Sequence, residues 1–406
     1  MLPSRLEPKY FYALVAVLTS IDMAMMIGLF WSSLRNTGSP LTLGVVLCFS
    51  VLLPFGLQRL RQRHRMSSNA NSAFRRMLVL RLGGYVAVFA AVLLNALYHV
   101  LGFVMVALVM GVLGYLTTSA LEALNTRFTL LAGIAIEQAA RWMQTAIQLG
   151  AFSGAALGGL LLERLGIDLF AYSLCTTGVV TALASMPFPF GPAVQASSDA
   201  SDGSRSKGPI SSESLGTPQD AQRLKALSLT LGMIGFHIGT FNTLTPIIYQ
   251  SLNHWTAADF GMASASAGVG AFLVAVLPRI RVSDYLVALG ILAMDAVLVF
   301  ADVPLISITA CFGIGYGINH LRIGLRRQLI DLAATPGDAD RIAAVSAFYY
   351  LLMQSGAPLL LSLLVSVRVP GPSPAPYLFV IVPIMILLCL YQLGRSGTVH
   401  ATVPRT

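Results

Sequence analysis

The sequence predicts an all-α membrane protein, with twelve transmembrane helices arranged as two pseudo-symmetric six-helix bundles. Three observations point there. The 406 residues are 56% hydrophobic and only 11% charged, with a mean hydropathy of +0.75, whereas soluble domains carry about 25% charged residues. Apolar runs of about 20 residues recur along the chain, each long enough to cross roughly 30 Å of hydrocarbon. The basic residues gather on one side of those runs.

The runs lie near residues 10–33, 41–58, 78–97, 99–119, 137–162, 166–187, 224–250, 257–278, 283–301, 303–322, 341–367 and 374–394. Each is expected to be helical, because backbone groups in lipid must be satisfied within their own segment. The first run is long enough to span, and no small-residue cleavage site follows it, so it reads as a span rather than a signal peptide. The stretch from Gln195 to Gln222 is rich in Ser, Asp, Gly and Pro and has no apolar periodicity, which is the composition of a flexible linker. The expected organisation is therefore an N-terminal bundle over 1–190, a linker over 191–222 and a C-terminal bundle over 223–406.

With a cytoplasmic N-terminus and twelve crossings, only Arg35, Arg164 and Arg368 of the 26 Lys and Arg residues fall outside. This bias orients the chain with both termini inside, as in a bacterial inner membrane. Arg81 counts among the inside residues in this reading. The net charge of +9 is then topogenic. The cluster from Arg59 to Arg65 reads as a loop facing anionic lipid, and no nucleic-acid partner is expected. Cys48, Cys175, Cys311 and Cys389 sit in four different runs and read as reduced packing residues. No GxxxxGK[ST] phosphate loop, no paired metal ligands and no Ser/His/Asp spacing are present. The sequence thus predicts no cofactor, no metal and no enzyme.

The halves share weak internal similarity, as transporters built from repeats do. Ala13-Leu14 matches Ala226-Leu227, Leu43-Gly44 matches Phe260-Gly261, and Gln148-Leu149-Gly150-Ala151 matches Gln354-Ser355-Gly356-Ala357. The order of the matches along the chain favours duplication.

Six spans, a polar linker, six spans and basic inner loops resemble the major facilitator superfamily over nearly the whole chain. Residues 38–54 and 315–330 look most like the branch of enterobactin-exporter-like and macrolide-efflux-like permeases. Gly150, Gly154, Gly158 and Gly159 resemble the glycine motif of superfamily exporters, although Ala155 replaces the usual proline. Glycines four apart also form a groove for close helix approach, so helix packing is the plain reading of these four. Two features depart from the family pattern. Leu57-Gln58-Arg59 after Gly56 lacks the acidic member of the loop signature. No Arg or Lys lies between His99 and Leu121, where the fourth span of proton-coupled antiporters carries an arginine.

Among polar residues within the spans, Asp22 stands near the middle of the first. An acidic residue at helix centre costs about 2.5–3.5 kcal/mol on insertion scales and so faces a partner or a wet cavity. Two readings are open: a proton-coupling or cationic-substrate site, and a structural hydrogen bond. His237 in the seventh span stands at a similar depth in the other half and suits proton relay or substrate contact, or else is a satisfied buried histidine. Gln144, Gln148, Asn242, Tyr350 and Gln354 offer neutral hydrogen bonds to a substrate, with helix–helix hydrogen bonding as the alternative. Glu137 and Arg141 lie four apart near the inner end of the fifth span and suggest a gating ion pair, or a merely solvated one. Asp295 in the ninth span is assigned a supporting place.

Together these readings predict a monomeric secondary transporter in the bilayer. It exports a small organic molecule, siderophore or drug-like, in exchange for protons. Import of a ferric siderophore or another nutrient, and a non-transporting membrane sensor or assembly partner, stand as alternatives.

Overall fold

The computed structural model describes residues 8–63, 70–132, 136–186, 218–277, 282–332, 336–367 and 374–398. Among these the chain forms eleven α-helices: α1 Pro8–Thr37, α2 Pro40–Arg63, α3 Ala70–Leu93, α4 Val100–Ala132, α5 Ile136–Ser185, α6 Pro218–Ile247, α7 Ala257–Val276, α8 Asp284–Phe300, α9 Pro304–Ile330, α10 Pro336–Val367 and α11 Ala375–Thr398. A 3₁₀ turn, Ala96–Tyr98, joins α3 to α4, and a π-helical turn, Ile248–Leu252, extends α6.

Helix α5 is 50 residues long but is not one rod. Gly166 sits at φ 71°, ψ 171°, a region open essentially to glycine alone, and the chain reverses there. Phe170, just past the break, fills the space beside Gly28, whereas Ala182 joins Phe11 and Phe74 at the opposite end. Tyr98 Oη donates to Asp168 Oδ2 at 2.9 Å, fastening the 3₁₀ turn to the break. The arms of α5, 136–165 and 167–185, bring the rods to twelve. Six precede the 187–217 interval, which lies outside the described residues, and six follow it. The rods alternate in direction, so Pro8 and Thr398 share one end of the bundle, here termed the Phe11 end. Trp31 marks the other.

Eight stretches of the described residues are long and apolar enough by themselves to cross a membrane, the 45-residue stretch Arg141–Ser185 counting once. The protein is a multi-pass membrane protein. Several helices outrun their apolar runs: α3 begins at Ala70, α4 continues to Ala132 and α9 to Ile330. Hydropathy registers only the lipid-embedded part of a helix. Phe74 and Met77, for example, are buried against Phe11 and Leu124. Helix α6 starts at Pro218, so the last five residues of the expected linker are helical.

Within each half the tightest seam is made by small residues. In the N half, a Cβ at Gly150 would lie 2.4 Å from the Ala16 carbonyl oxygen, one at Gly154 2.3 Å from that of Ser20, and one at Gly158 2.7 Å from the Ala24 Cα. The glycines of α5 thus admit the backbone of α1 turn by turn. In the C half the arrangement is exchanged. Gly235 and Gly239 of α6 admit the carbonyls of Tyr350 and Gln354 on α10, at 2.5 and 2.6 Å from ideal Cβ positions. The four cysteines are free.

Candidate functional site

The halves meet along two symmetry-related seams. Gly261 on α7 lies against the Ala155 carbonyl and Gly159 of α5, and Gly44 on α2 lies against the Pro358 carbonyl and Ser362 of α10. Leu43-Gly44 and Phe260-Gly261, paired by internal similarity, therefore occupy matching contacts. Both seams lie toward the Trp31 end. There Trp31 stacks on Phe260 with ring centroids 5.8 Å apart and planes at 23°. The Ala257 N–H donates to Glu163 Oε2 at 3.0 Å, so a carboxylate of the N half caps the first turn of a C-half helix. Thr256 and Asp259 complete a capping box on the same turn. A cavity of about 480 Å³ lies beside this contact, lined by Trp31, Arg35, Glu163, Gln250, His254 and Trp255 among others.

Toward the Phe11 end the halves part. A cleft of about 710 Å³ opens between α5 and α7, with Arg141, Trp142 and Gln144 on one wall and Phe272 and Val276 on the other. The buried apolar residues at this end of the N half, among them Phe11, Leu18, Phe74, Leu124 and Met143, form a cluster of their own. The larger cluster draws on both halves and includes Trp31, Leu43 and Phe260 at the Trp31 end. The structure is closed at the Trp31 end and open at the Phe11 end.

Inside each half a polar pair crosses from the first rod to the third. Asp22, midway along α1, receives two hydrogen bonds from Arg81 on α3: Nη1 to Oδ2 at 2.9 Å and Nη2 to Oδ1 at 2.5 Å. Arg81 is fully buried, whereas the Asp22 side chain is 19% exposed. Arg81 Nη1 also donates to Thr117 Oγ1 of α4, and Nη2 to Tyr85 Oη one turn along α3. A bidentate guanidinium–carboxylate pair is among the strongest geometries available to either group. Asp22 is therefore not a lone carboxylate, and Arg81 is not a topogenic residue at the membrane edge. Arg81 sits near the centre of α3, where burial by neighbouring helices shields its charge from lipid.

In the C half His237 on α6 and Asp295 on α8 share a hydrogen bond, Nε2 to Oδ2, at 2.7 Å, with side chains 1% and 0% exposed. The ring of Phe379 on α11 meets His237 edge-on at 5.9 Å. Asp295 is thus a direct partner of His237, a contact the sequence reading did not pair. His237 lies 215 residues after Asp22, and Asp295 lies 214 after Arg81. The pairs occupy equivalent places with acid and base exchanged.

The remaining candidates are dispersed. Gln144 is exposed in the cleft, and Arg141 is exposed at its mouth. The side chain of Glu137 lies outside the described residues, and so does the expected ion pair. Gln148, Asn242, Tyr350 and Gln354 are half-buried on α5, α6 and α10. Gly150, Gly154 and Gly158 face α1 and Gly159 faces α7, as set out above.

No family model matches the chain, and no curated protein matches it in sequence. Solved structures do. A mutant of the nucleoside transporter NupG superimposes with a TM-score of 0.68 over 95% of this chain and 100% of that one, at 12% identity. A bacterial homolog of the human lysosomal transporter Spinster, in an inward-facing and unoccupied conformation, gives 0.63 over 97% and 98%, at 10% identity. The same homolog, inward-facing and occupied, gives 0.65 over 97% and 98%, at 12%.

The fold is the major facilitator fold. Within it, the two polar pairs of this chain brace the first rod of each half to the third. Sequence reasoning found one member of each pair as a site candidate and missed the cross-helix contacts. The signal for Arg81 was its place three residues inside an apolar run with Tyr85 one turn on, too deep for a loop residue.

Proposed function

We propose that the protein is a secondary active transporter that moves a small organic molecule between its two six-helix halves by alternating access. The observation that carries this reading is the asymmetry of the interface: halves sealed by glycine seams at one end and parted by a cleft at the other, on a fold shared with solved transporters. With the cytoplasm at the Phe11 end, as the basic residues favour, this is an inward-open state. The bilayer proposed is a bacterial inner membrane, and the working unit is a monomer.

Buried ionisable residues in a membrane helix mark ion or substrate pathways. His237, paired with the buried Asp295, supports proton coupling, and Asp22, still partly exposed beside Arg81, supports a polar lining of the passage. Gln144, Gln148, Asn242, Tyr350 and Gln354 are proposed to offer amide and phenol contacts to an oxygen-rich substrate. Export of a siderophore-like or drug-like compound is the direction favoured by the glycines of α5. The test is transport by proteoliposomes of known orientation under an imposed pH gradient. The panel comprises catecholate siderophores, their ferric complexes, macrolides and nucleosides, the last because one structural neighbour is a nucleoside transporter. Gradient-driven movement of one class supports the reading. Accumulation that ignores the gradient removes proton coupling, and movement of none removes transport.

A further inference from the structure

We propose that the His237–Asp295 pair carries the exchanged proton, and that Arg81–Asp22 is its fixed-charge counterpart in the other half. This rests on the proton-coupled reading above and assigns its site.

The argument begins with what each pair can bind. A guanidinium keeps its proton in a protein. With Arg81 fully buried and charged, Asp22 must stay ionised, because protonating it would leave a buried cation uncompensated. The N-half pair is therefore neutral in one protonation state only. It braces α1 to α3 and takes no further proton.

The C-half pair has no such anchor. Both imidazole and carboxylate bind protons reversibly, and one proton shared between Nε2 and Oδ2 leaves the pair neutral. At 1% and 0% exposure, that neutral, one-proton form is the one burial favours. Removing the proton leaves a net negative site, which is tolerable only when water reaches it. The pair thus couples proton occupancy to burial. It is loaded when sealed, as in this structure, and releases its proton when the C half is hydrated from one side. The proton leaves to water from Nδ1 of the imidazolium or from Oδ1 of the carboxyl and returns by the same atoms, so no other reactant is needed.

Two further observations place the route. His237 Nδ1 and Asp295 Oδ1 are buried and have no hydrogen-bond partner among the described residues. Since Nε2 and Oδ2 are engaged with each other, these are the atoms through which a water chain would connect. On the side of α9, Cys311 lies within electrostatic range of Asp295 and 3.9 Å from Tyr249 Oη of the π-helical turn, which in turn shares a 2.7 Å hydrogen bond with Ser307. From α11 the pair meets the Phe379 ring, and from α10 Tyr350 packs against Gly235, two residues before His237. Among the described residues, the titratable groups nearest the pair are thus Cys311 and Tyr350, with Tyr249 beyond Cys311, none of which is charged at neutral pH.

Infrared difference spectroscopy on purified protein, titrated between acid and alkaline pH, reads carboxyl protonation without a substrate. The wild type should show a protonated-carboxyl band that titrates. Asp295→Asn should abolish it, His237→Gln should move its midpoint, and Asp22→Asn should leave it in place. If Asp295→Asn does not fold, the double variant His237→Gln/Asp295→Asn, which keeps two neutral side chains of similar size, should also lack the band. A band lost in Asp22→Asn but kept in Asp295→Asn overturns the assignment, as does a wild type with no titrating carboxyl. If the band follows Asp295 while no panel compound follows the pH gradient, the transport reading fails and the proton site stands.

Discussion

At the scale of single residues, Asp22, Arg81, His237 and Asp295 are each held in place by a partner. Arg81 is the side chain with most to lose. Arg81→Ala leaves the Asp22 carboxylate without its two hydrogen bonds and strands Thr117 and Tyr85. Removing one member of a buried pair costs about 3–5 kcal/mol, so the variant is expected to unfold at a markedly lower temperature in detergent. The double variant Asp22→Leu/Arg81→Met, which removes both charges, should recover most of that loss. Thermal unfolding of the three proteins decides it: equal loss in single and double variants would mean that the pair is not the source. Asp22 was legible in the sequence because a carboxylate within an apolar run has few explanations. Its partner was passed over, because Arg81, only three residues inside its run, was grouped with the basic residues of the inner loop despite that depth. Only the packing of α1, α3 and α4 shows that it is enclosed. Asp295 was visible as a mid-span charge, but pairing it with His237 requires knowing that α6 and α8 touch.

At the scale of helices, small residues decide which rods approach. Gly154→Leu would drive a side chain into the Ser20 backbone, 2.3 Å from even the first added carbon. Overpacking of this kind costs about 1–3 kcal/mol or more. Gly83→Ala and Gly290→Ala, where nothing lies within 4 Å, serve as controls and should behave as wild type in the same melting assay. Matching losses at all three positions would show that the close contact at Gly154 is not the source, since replacing a helical glycine by Ala or Leu improves helix propensity. The i, i+4 spacing of Gly150, Gly154 and Gly158 made a close seam legible, yet not its partner. Nor did the sequence show that the glycines of the equivalent C-half seam stand on the first rod, α6, rather than on α10. Helix lengths were the least legible feature, since polar extensions such as 120–132 of α4 leave no hydropathic trace.

At the scale of the whole molecule, two bundles meet at one end only, so the balance between conformations depends on contacts there. Glu163 caps α7 across the boundary. Glu163→Ala removes that bond, and loss of a cap costs about 0.5–2 kcal/mol, enough to shift a two-state balance severalfold. Alkylation of Ser251→Cys, beside the contact, is expected to quicken in the Glu163→Ala background, with Glu163→Gln intermediate. An unchanged rate would show that the cap does not hold this end closed. Six rods before residue 187 and six after residue 217 were readable from hydropathy and charge, because lipid imposes length and satisfaction rules on every span. Which end is sealed was not, because it depends on contacts between residues more than 90 positions apart, such as Glu163 and Ala257. The turnaround at Gly166 adds a mechanical corollary. A reversal made in one residue has no slack, so the two arms of α5 are geared together, and through Asp168 and Tyr98 the joint is pinned to the turn between α3 and α4. Any stroke that lifts α5 away from α7 must carry that entire corner with it. The N half is thereby committed to moving as a single lever rather than shedding one rod at a time.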